Sequence, residues 1–133
     1  MFVYSESVEH SMSPTGAKVN VLGVLNALTP MCIPSMFSFS VTLGLIEVEM
    51  NKAHKLQLKI IDATNGEIVV DTEEIQLPIE SINQRLPLEL QGYTFSMDFR
   101  NIPINNEGIY KTYVFFDGEL LGEYPVHVKA ALA

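Results

Sequence analysis

The chain has 133 residues, 47% of them hydrophobic, and its 16 acidic against 8 basic residues give a formal net charge of −8. This length and apolar content exclude disorder, and we assign a single domain to residues 1–133. The acidic balance argues against nucleic acid as a partner, because phosphates carry the same sign, and against anionic membranes for the same reason.

Cysteine usage and the first residues indicate the compartment. The chain has one cysteine, Cys32, so an intramolecular disulfide is excluded and a reducing environment is expected. The N-terminus lacks the basic region and apolar run of a signal peptide. No apolar run approaches the roughly 18 residues of a membrane span. We therefore expect a cytoplasmic protein without a membrane partner.

Alternation of apolar and polar residues runs through almost the whole chain and predicts strands. The clearest case is 37–45, where Phe, Val and Leu alternate with Ser, Thr and Gly. About eight strands with almost no amphipathic-helix pattern predict an all-β fold, namely a two-sheet antiparallel β-sandwich. The predicted strands cover residues 2–10, 18–25, 37–50, 55–60, 68–79, 93–104, 109–116 and 123–129.

Irregularities are predicted at a few positions within this pattern. The alternation slips by one residue at Leu45-Ile46 and again near Asn101, and each slip predicts a β-bulge or a strand bend. Gly23, inside a strand, predicts a bulge or a close backbone approach. Residues 80–91 lack the alternation, and a short helical turn ending before Pro87 is expected there.

The last two strands form the strongest hairpin signal, because Asp117-Gly118 joins them. On the strand 109–116 both faces are apolar, and Tyr113 and Phe115 lie on the face opposite Tyr110. That second face is covered by residues 80–91, by the N-terminal strand or by another protein, or else it is exposed as an apolar patch. Pro125 cannot donate to a ladder, so its strand is predicted to be an edge or to be bulged there. Tyr113, Phe115 and Pro125 are therefore the candidate interface residues.

Two resemblances add to this interpretation. Asn106-x-Gly108-x-Tyr110 resembles the corner before the penultimate strand of an immunoglobulin-type sandwich, which implies that the Tyr110 hydroxyl ties the corner to the backbone. Thr112 stands where such domains have cysteine, and the chain has no tryptophan, so the resemblance implies the immunoglobulin-like architecture alone.

Most of the chain also resembles an uncharacterised family of small bacterial proteins, classed as a domain of unknown function. The family implies no activity and no catalytic residues. The matching segments are Lys18-Val19-Asn20-Val21-Leu22-Gly23, His54-Lys55-Leu56 running into Asp62, Gly108-x-Tyr110 and Asp117-Gly118.

Candidate chemistry is weak throughout. The oxygen-rich run from Asp62 to Glu74 does not have the spacing of a helix–loop–helix calcium loop and is more typical of Asx turns, although the residues leave cation binding open. His10, His54 and His127 lack metal-ligand spacing and are predicted to be surface or capping residues. Cys32 lies in an apolar segment and is predicted to be buried and inert. We therefore predict no catalytic residue, no metal site, no cofactor and no enzymatic activity.

Two functions are consistent with these observations. The first is a non-catalytic protein-interaction or structural module of a larger assembly, which binds a protein partner or associates with itself. The second is a small-ligand or carbohydrate-binding sandwich, which would need a pocket lined by Tyr4, Tyr93 or Tyr124 with convergent polar groups.

Overall fold

A computed structural model describes residues 1–13, 16–79, 87–88 and 91–131. In these ranges the regular structure is ten β-strands, and they include no helix that is long and apolar enough to cross a membrane. The strands are β1 (Phe2–Ser13), β2 (Gly16–Val24), β3 (Ala27–Leu28), β4 (Ser35–Ile46), β5 (Lys55–Asp62), β6 (Ile68–Asp71), β7 (Ile75–Gln76), β8 (Gly92–Ile104), β9 (Gly108–Phe116) and β10 (Glu119–Val128).

The strands form two sheets. The four-stranded sheet has the order β2-β1-β4-β8, and the six-stranded sheet has the order β3-β10-β9-β5-β6, with β7 paired to β5. The prediction of an all-β, two-sheet sandwich is therefore confirmed. The orders β1-β4-β8 and β10-β9-β5-β6 correspond to strands A-B-E and G-F-C-C′ of an immunoglobulin-type sandwich.

The structure corrects some details of the predicted fold. It has ten strands rather than about eight, because the two-residue strand β3 leaves no alternation to detect and the predicted stretch 68–79 contains two strands, β6 and β7. The sandwich is not purely antiparallel, since β3 pairs parallel to β10. At the slip at Leu45-Ile46 the bend alternative holds and the bulge does not: β4 ends at Ile46, and the chain bends at Glu47 with φ of 56°. The short helical turn was expected within residues 80–91, and residues 80–86 and 89–90 of that segment lie outside the described part of the chain.

The second predicted irregularity is confirmed. On β4 and β8, Phe39 pairs with Phe99, whereas Phe37 pairs with Ile102, so β8 carries one extra residue at this point. Asn101 absorbs it with φ of 55°, a conformation that asparagine tolerates better than most residues. Its backbone N–H donates to Ser38 Oγ at 3.0 Å, which satisfies a group that leaves the ladder.

The core lies between the facing sides of the sheets, as period-2 alternation requires. On β5, Leu56, Leu58 and Ile60 are buried while the residues between them are not. Opposite them, Val41 and Leu43 of β4 are equally buried. Burying these side chains in two facing layers is the main favourable term for the fold.

Tyr4 joins the two sheets by hydrogen bonds. Its ring is buried, and its hydroxyl donates to the Tyr124 carbonyl of β10 at 2.8 Å. Because that proton is used, the Thr112 hydroxyl donates to Tyr4 Oη across 2.7 Å. Burial raises the pKa of Tyr4 to about 12, with the Thr112 contact opposing it. The hydroxyl is therefore a neutral cross-link between β1, β9 and β10.

Tyr4→Phe should lower the free energy of unfolding by about 1–3 kcal/mol, because it leaves a buried hydroxyl and a carbonyl short of a partner. Urea denaturation followed by circular dichroism measures this. Tyr113→Phe is the matched control, since its ring is half-exposed on the other side of the sheet, and it should change stability by less than about 0.5 kcal/mol. Equal stability of Tyr4→Phe and the parent would contradict the cross-link.

Candidate interaction surface

The side of the six-stranded sheet that turns away from the core is named here the outer face. Residues that pair across antiparallel strands lie on the same side, so the strand register defines its members. The members on β6, β5, β9 and β10 are, in that order, Ile68, Asp71, Lys55, Gln57, Lys59, Ile61, Ile109, Lys111, Tyr113, Phe115, Leu120, Glu123, Pro125 and His127.

Tyr113 and Phe115 lie near the middle of the outer face and are both half-exposed. Phe115 pairs with Gln57 on one side and Leu120 on the other. Lys59 Nζ lies 5.6 Å from the centre of the Phe115 ring, a cation–π distance. The aromatic pair is therefore flanked by polar and charged side chains rather than enclosed by a core.

The structure settles part of the question of what covers these rings. The N-terminal strand does not, because β1 belongs to the four-stranded sheet and sends Tyr4 to the core side of β9. That option is wrong. The other option within the chain, residues 80–91, falls mostly outside the described residues. All described members of the outer face are half-exposed or exposed.

Pro125 lies on an edge segment of β10. From Glu119 to Val126, β10 pairs with β9 alone, and β3 joins its other side only at His127 and Val128. The Lys129 N–H points to the β3 side of β10, where it donates to the Leu28 carbonyl. Backbone nitrogens two and four residues earlier point to the same side, so the Pro125 nitrogen lies where β3 no longer pairs and where no ladder bond is needed. The bulge on β10 lies at Leu120/Gly122, which the sequence did not predict.

A shallow groove of about 230 Å³ opens at one end of the outer face. Lys55, Gln57, Lys59 and Phe115 line it, together with Glu74 at its rim. It therefore combines ammonium groups, an amide and an aromatic ring within one small concave surface.

Tyr110 lies on the opposite, buried side of β9. Its hydroxyl donates to the Asn106 carbonyl at 2.8 Å, which is the contact that the tyrosine-corner role implies. Burial and the nearby Asp62 carboxylate both raise the pKa of Tyr110. This residue fixes the loop before β9 and does not reach the outer face.

The acidic run from Asp62 to Glu74 forms Asx turns. Asp62 Oδ1 accepts from Thr64 N at 2.9 Å, and Asn65 Oδ1 accepts from Glu67 N at 2.8 Å. Asp71 Oδ1 does the same for the amide of Glu73 at 2.8 Å. Among the described residues no three His, Cys, Asp or Glu side chains lie together in a way that could hold a metal ion.

One predicted residue environment is wrong. Cys32 is exposed rather than buried, because the connection from β3 to β4 runs over the surface and Met31 beside it is also exposed. For His54, predicted as a surface or capping residue, the capping alternative holds: its side chain is only 12% exposed, and its Nε2 bonds to the Glu49 carbonyl oxygen. His10 and His127 are exposed, as predicted.

His54 is the centre of an ion pair that sequence reasoning missed. Its Nδ1 lies 2.7 Å from Asp117 Oδ2, and its Nε2 lies 2.7 Å from the Glu49 carbonyl oxygen. A carboxylate and a carbonyl can only accept, so both ring nitrogens must carry protons. The ring also packs on Phe116, with centroids 5.0 Å apart. The pair joins the loop after β4 to the Asp117-Gly118 turn.

The pKa values follow from these contacts. Partial burial lowers the pKa of His54, but the bonds to Asp117 and the Glu49 carbonyl outweigh it, so the pKa lies above the ordinary 6.5. Partial burial raises the pKa of Asp117, but His54 and the Lys55 amide outweigh it, so the pKa lies below 3.8. A raised histidine pKa and a lowered carboxyl pKa both favour the charged pair.

The fold and the site together define an all-β sandwich of immunoglobulin-type strand order with two half-exposed aromatic rings on its outer face. The chain belongs to a family of unknown function, DUF6941, whose profile matches residues 2–129. This agrees with the resemblance to an uncharacterised family found in the sequence. No curated protein matches the chain.

Solved structures of a β-glucosidase from Listeria innocua are distantly similar. The complex with isofagomine has a TM-score of 0.45 at 13% identity, over 100% of this chain and 17% of the enzyme chain. The complex with glucose has the same TM-score and identity, over 100% of this chain and 16% of the enzyme chain. The chain thus spans under a fifth of that protein's length, and similarity at this level supports no argument about activity.

In the folded protein His54 should titrate above 6.5, and Asp117→Asn should lower its pKa, because the carboxylate charge is lost while the turn residue stays close in shape. The stability that His54 contributes is therefore complete below 6.5 and is lost as pH rises through the folded pKa. Two-dimensional NMR of the imidazole protons measures both values. Glu123→Gln, which removes a charge elsewhere, should leave the His54 pKa unchanged. A His54 pKa at or below 6.5 would contradict the geometry.

Proposed function

We propose that this protein is a non-catalytic protein-interaction module that binds its partner through the outer face. The observation that carries the proposal is the exposure of Tyr113 and Phe115 in the middle of that face, on a strand in the interior of its sheet. Leu120, which pairs with Phe115, is 51% exposed as well, and Ile68 and Ile109 are 51% and 40% exposed further along the same face, beyond Tyr113.

Single exposed apolar residues are common on protein surfaces, whereas a contiguous group of them needs an explanation. Each square ångström of apolar surface removed from water is worth about 25 cal/mol, so a partner that covers these side chains gains affinity from their burial. Contiguous apolar patches rimmed by polar residues mark interaction sites in soluble proteins. Here the rim is Lys59, Lys111 and Glu123, and the rings at the centre are the residue types enriched in binding interfaces.

The carboxylates of the outer face do not support a hydrolase. Asp71 and Glu123 align in one row across four strands, with Lys59 and Tyr113 between them. Three strand spacings separate their backbones by about 14 Å. A glycosidase needs its two carboxylates within about 5–10 Å of each other across a cleft. This arrangement favours a binding surface.

The ligand-binding alternative has less support. A groove of about 280 Å³ is lined by Tyr4 and Tyr124, among others. However, the Tyr4 hydroxyl is used internally, and Tyr124 stacks on Phe2 at 4.2 Å. Tyr93 likewise donates its hydroxyl to the Pro78 carbonyl at 3.0 Å. The tyrosines thus hold the sandwich together instead of presenting convergent polar groups.

A cytoplasmic location belongs to the same proposal. Cys32 is a free thiol at the surface. Exposed unpaired thiols are typical of proteins in reducing compartments, where they stay reduced.

The proposal predicts that Tyr113→Ser/Phe115→Ser abolishes partner capture without unfolding the protein, because both rings are outside the core. Purified parent and variant, immobilised at equal density, are exposed to extract of the source organism and the retained proteins are quantified by mass spectrometry.

Leu22→Ser/Val24→Ser is the control, since these side chains are 40% and 63% exposed on β2 in the other sheet. A protein retained by parent and control and lost from the Tyr113/Phe115 variant is the expected result. Identical retention by all three would contradict the proposal.

A further inference from the structure

The outer face differs in charge from the rest of the molecule. Lys55, Lys59 and Lys111 project from it, three of the eight basic residues in the chain. Three carboxylates balance them, from Asp71, Glu123 and, at the groove rim, Glu74. The outer face is therefore neutral overall, and the net charge of −8 lies on the remaining surface. An anionic partner meets the least repulsion here.

Within the described part of the chain the lysines of the outer face form no ion pair, although Lys59 lies over the Phe115 ring. The ion pairs among described residues join Lys52 to Glu49, His54 to Asp117 and Arg100 to Asp98, and none includes the three lysines. Asp71, which faces Lys59, already accepts hydrogen bonds from Gln57 Nε2 at 2.9 Å and from the Glu73 amide. The face thus presents ammonium groups that lack a bonded carboxylate.

The spacing of these groups fits an alternating segment. Lys55 and Lys59 are four residues apart on β5, about 13 Å along the strand, and Gln57 and Phe115 lie between them. Lys111 continues the series beyond Tyr113. An extended segment across this surface would meet ammonium groups and aromatic rings in turn, and the groove beside Phe115 has room for one side chain.

We propose that the partner docks an acidic polypeptide segment on the outer face, in which carboxylates alternate with apolar side chains. The carboxylates pair with Lys55, Lys59 and Lys111, and the apolar side chains cover Phe115 and Tyr113. This inference rests on the proposed function and specifies the chemistry of its partner.

Two other occupants fit less well. A second copy bound across a twofold axis would offer the lysines only the carboxylates of its own outer face, and one of these, Asp71, already accepts two hydrogen bonds. A nucleic acid offers phosphates, but a long polyanion also meets the strongly acidic surface around the outer face. A short acidic segment feels chiefly the charges within a Debye length of about 8–10 Å, and here these are three lysines balanced by three carboxylates rather than the net charge of −8.

Selection from a displayed library of random peptides tests this inference, with peptides of about 12 residues so that an extended chain crosses the face. Peptides enriched on the parent protein should be rich in Asp and Glu interleaved with apolar residues. Synthesised singly and measured by fluorescence anisotropy, they should bind Lys55→Glu/Lys59→Glu at least about tenfold more weakly, because two attractions become repulsions. Binding should also weaken several-fold between about 50 and about 500 mM NaCl.

Lys18→Glu/Arg100→Glu is the matched control, because it makes the same change in net charge at exposed positions of the other sheet. Equal weakening by both double variants would overturn the inference, since net charge alone would then explain it. Neutral or basic peptides that are lost on Tyr113→Ser/Phe115→Ser would overturn the acidic partner and leave the interaction surface standing. If light scattering shows that the parent is a dimer and that Lys55→Glu/Lys59→Glu is a monomer, the outer face binds a second copy, and the inference of an acidic partner segment is overturned.

Discussion

Strand β9 sets the constraint on which the rest of the structure depends. It lies inside the six-stranded sheet and carries apolar side chains on both of its faces. Only one face of a sheet in a two-sheet sandwich packs in the core. Tyr110, Thr112 and Val114 take that side, where Tyr4 of β1 bonds to Thr112, while β5 pairs with β9 in the same sheet. The same alternation forces Tyr113 and Phe115 outwards. No change of register can bury both sets, because a one-residue slip only exchanges them. The fold and its exposed aromatic face are thus two consequences of one strand.

Much of the fold could be predicted because its signals are local. Alternation located the strands, the Asp117-Gly118 pair located the closing hairpin, and the second phase slip located the bulge at Asn101. The first slip left a bulge and a bend open, because both break the alternation, and only the regular pairing as far as Ile46 with Gly92 decides for the bend. The short strand β3 was missed, since two residues form no period, and β7 was not separated from β6 within the stretch 68–79. Their pairing is decided by neighbours far away in the chain.

The site shows where local reasoning fails. His54 and Asp117 are 63 residues apart and meet only because β5 pairs with β9, so no spacing in the sequence marks their ion pair. Cys32 was assigned to the interior from its apolar neighbours, but those neighbours, Met31 among them, are themselves exposed on a connection. The outer face was found from sequence through Tyr113 and Phe115. Its lysines were not connected to those rings, because the register between β5 and β9 is a property of the folded chain alone.

The central claim is that another protein covers the outer face, and site-specific photocrosslinking in cells of the source organism tests it most directly. A photoreactive phenylalanine analogue at Tyr113 retains the aromatic ring and reacts only with groups in contact with it. The account predicts a crosslinked product heavier than the 14.8 kDa chain from position 113, and none from the same analogue at Leu22 on the opposite sheet. Absence of a product from position 113, or equal products from both positions, would contradict it.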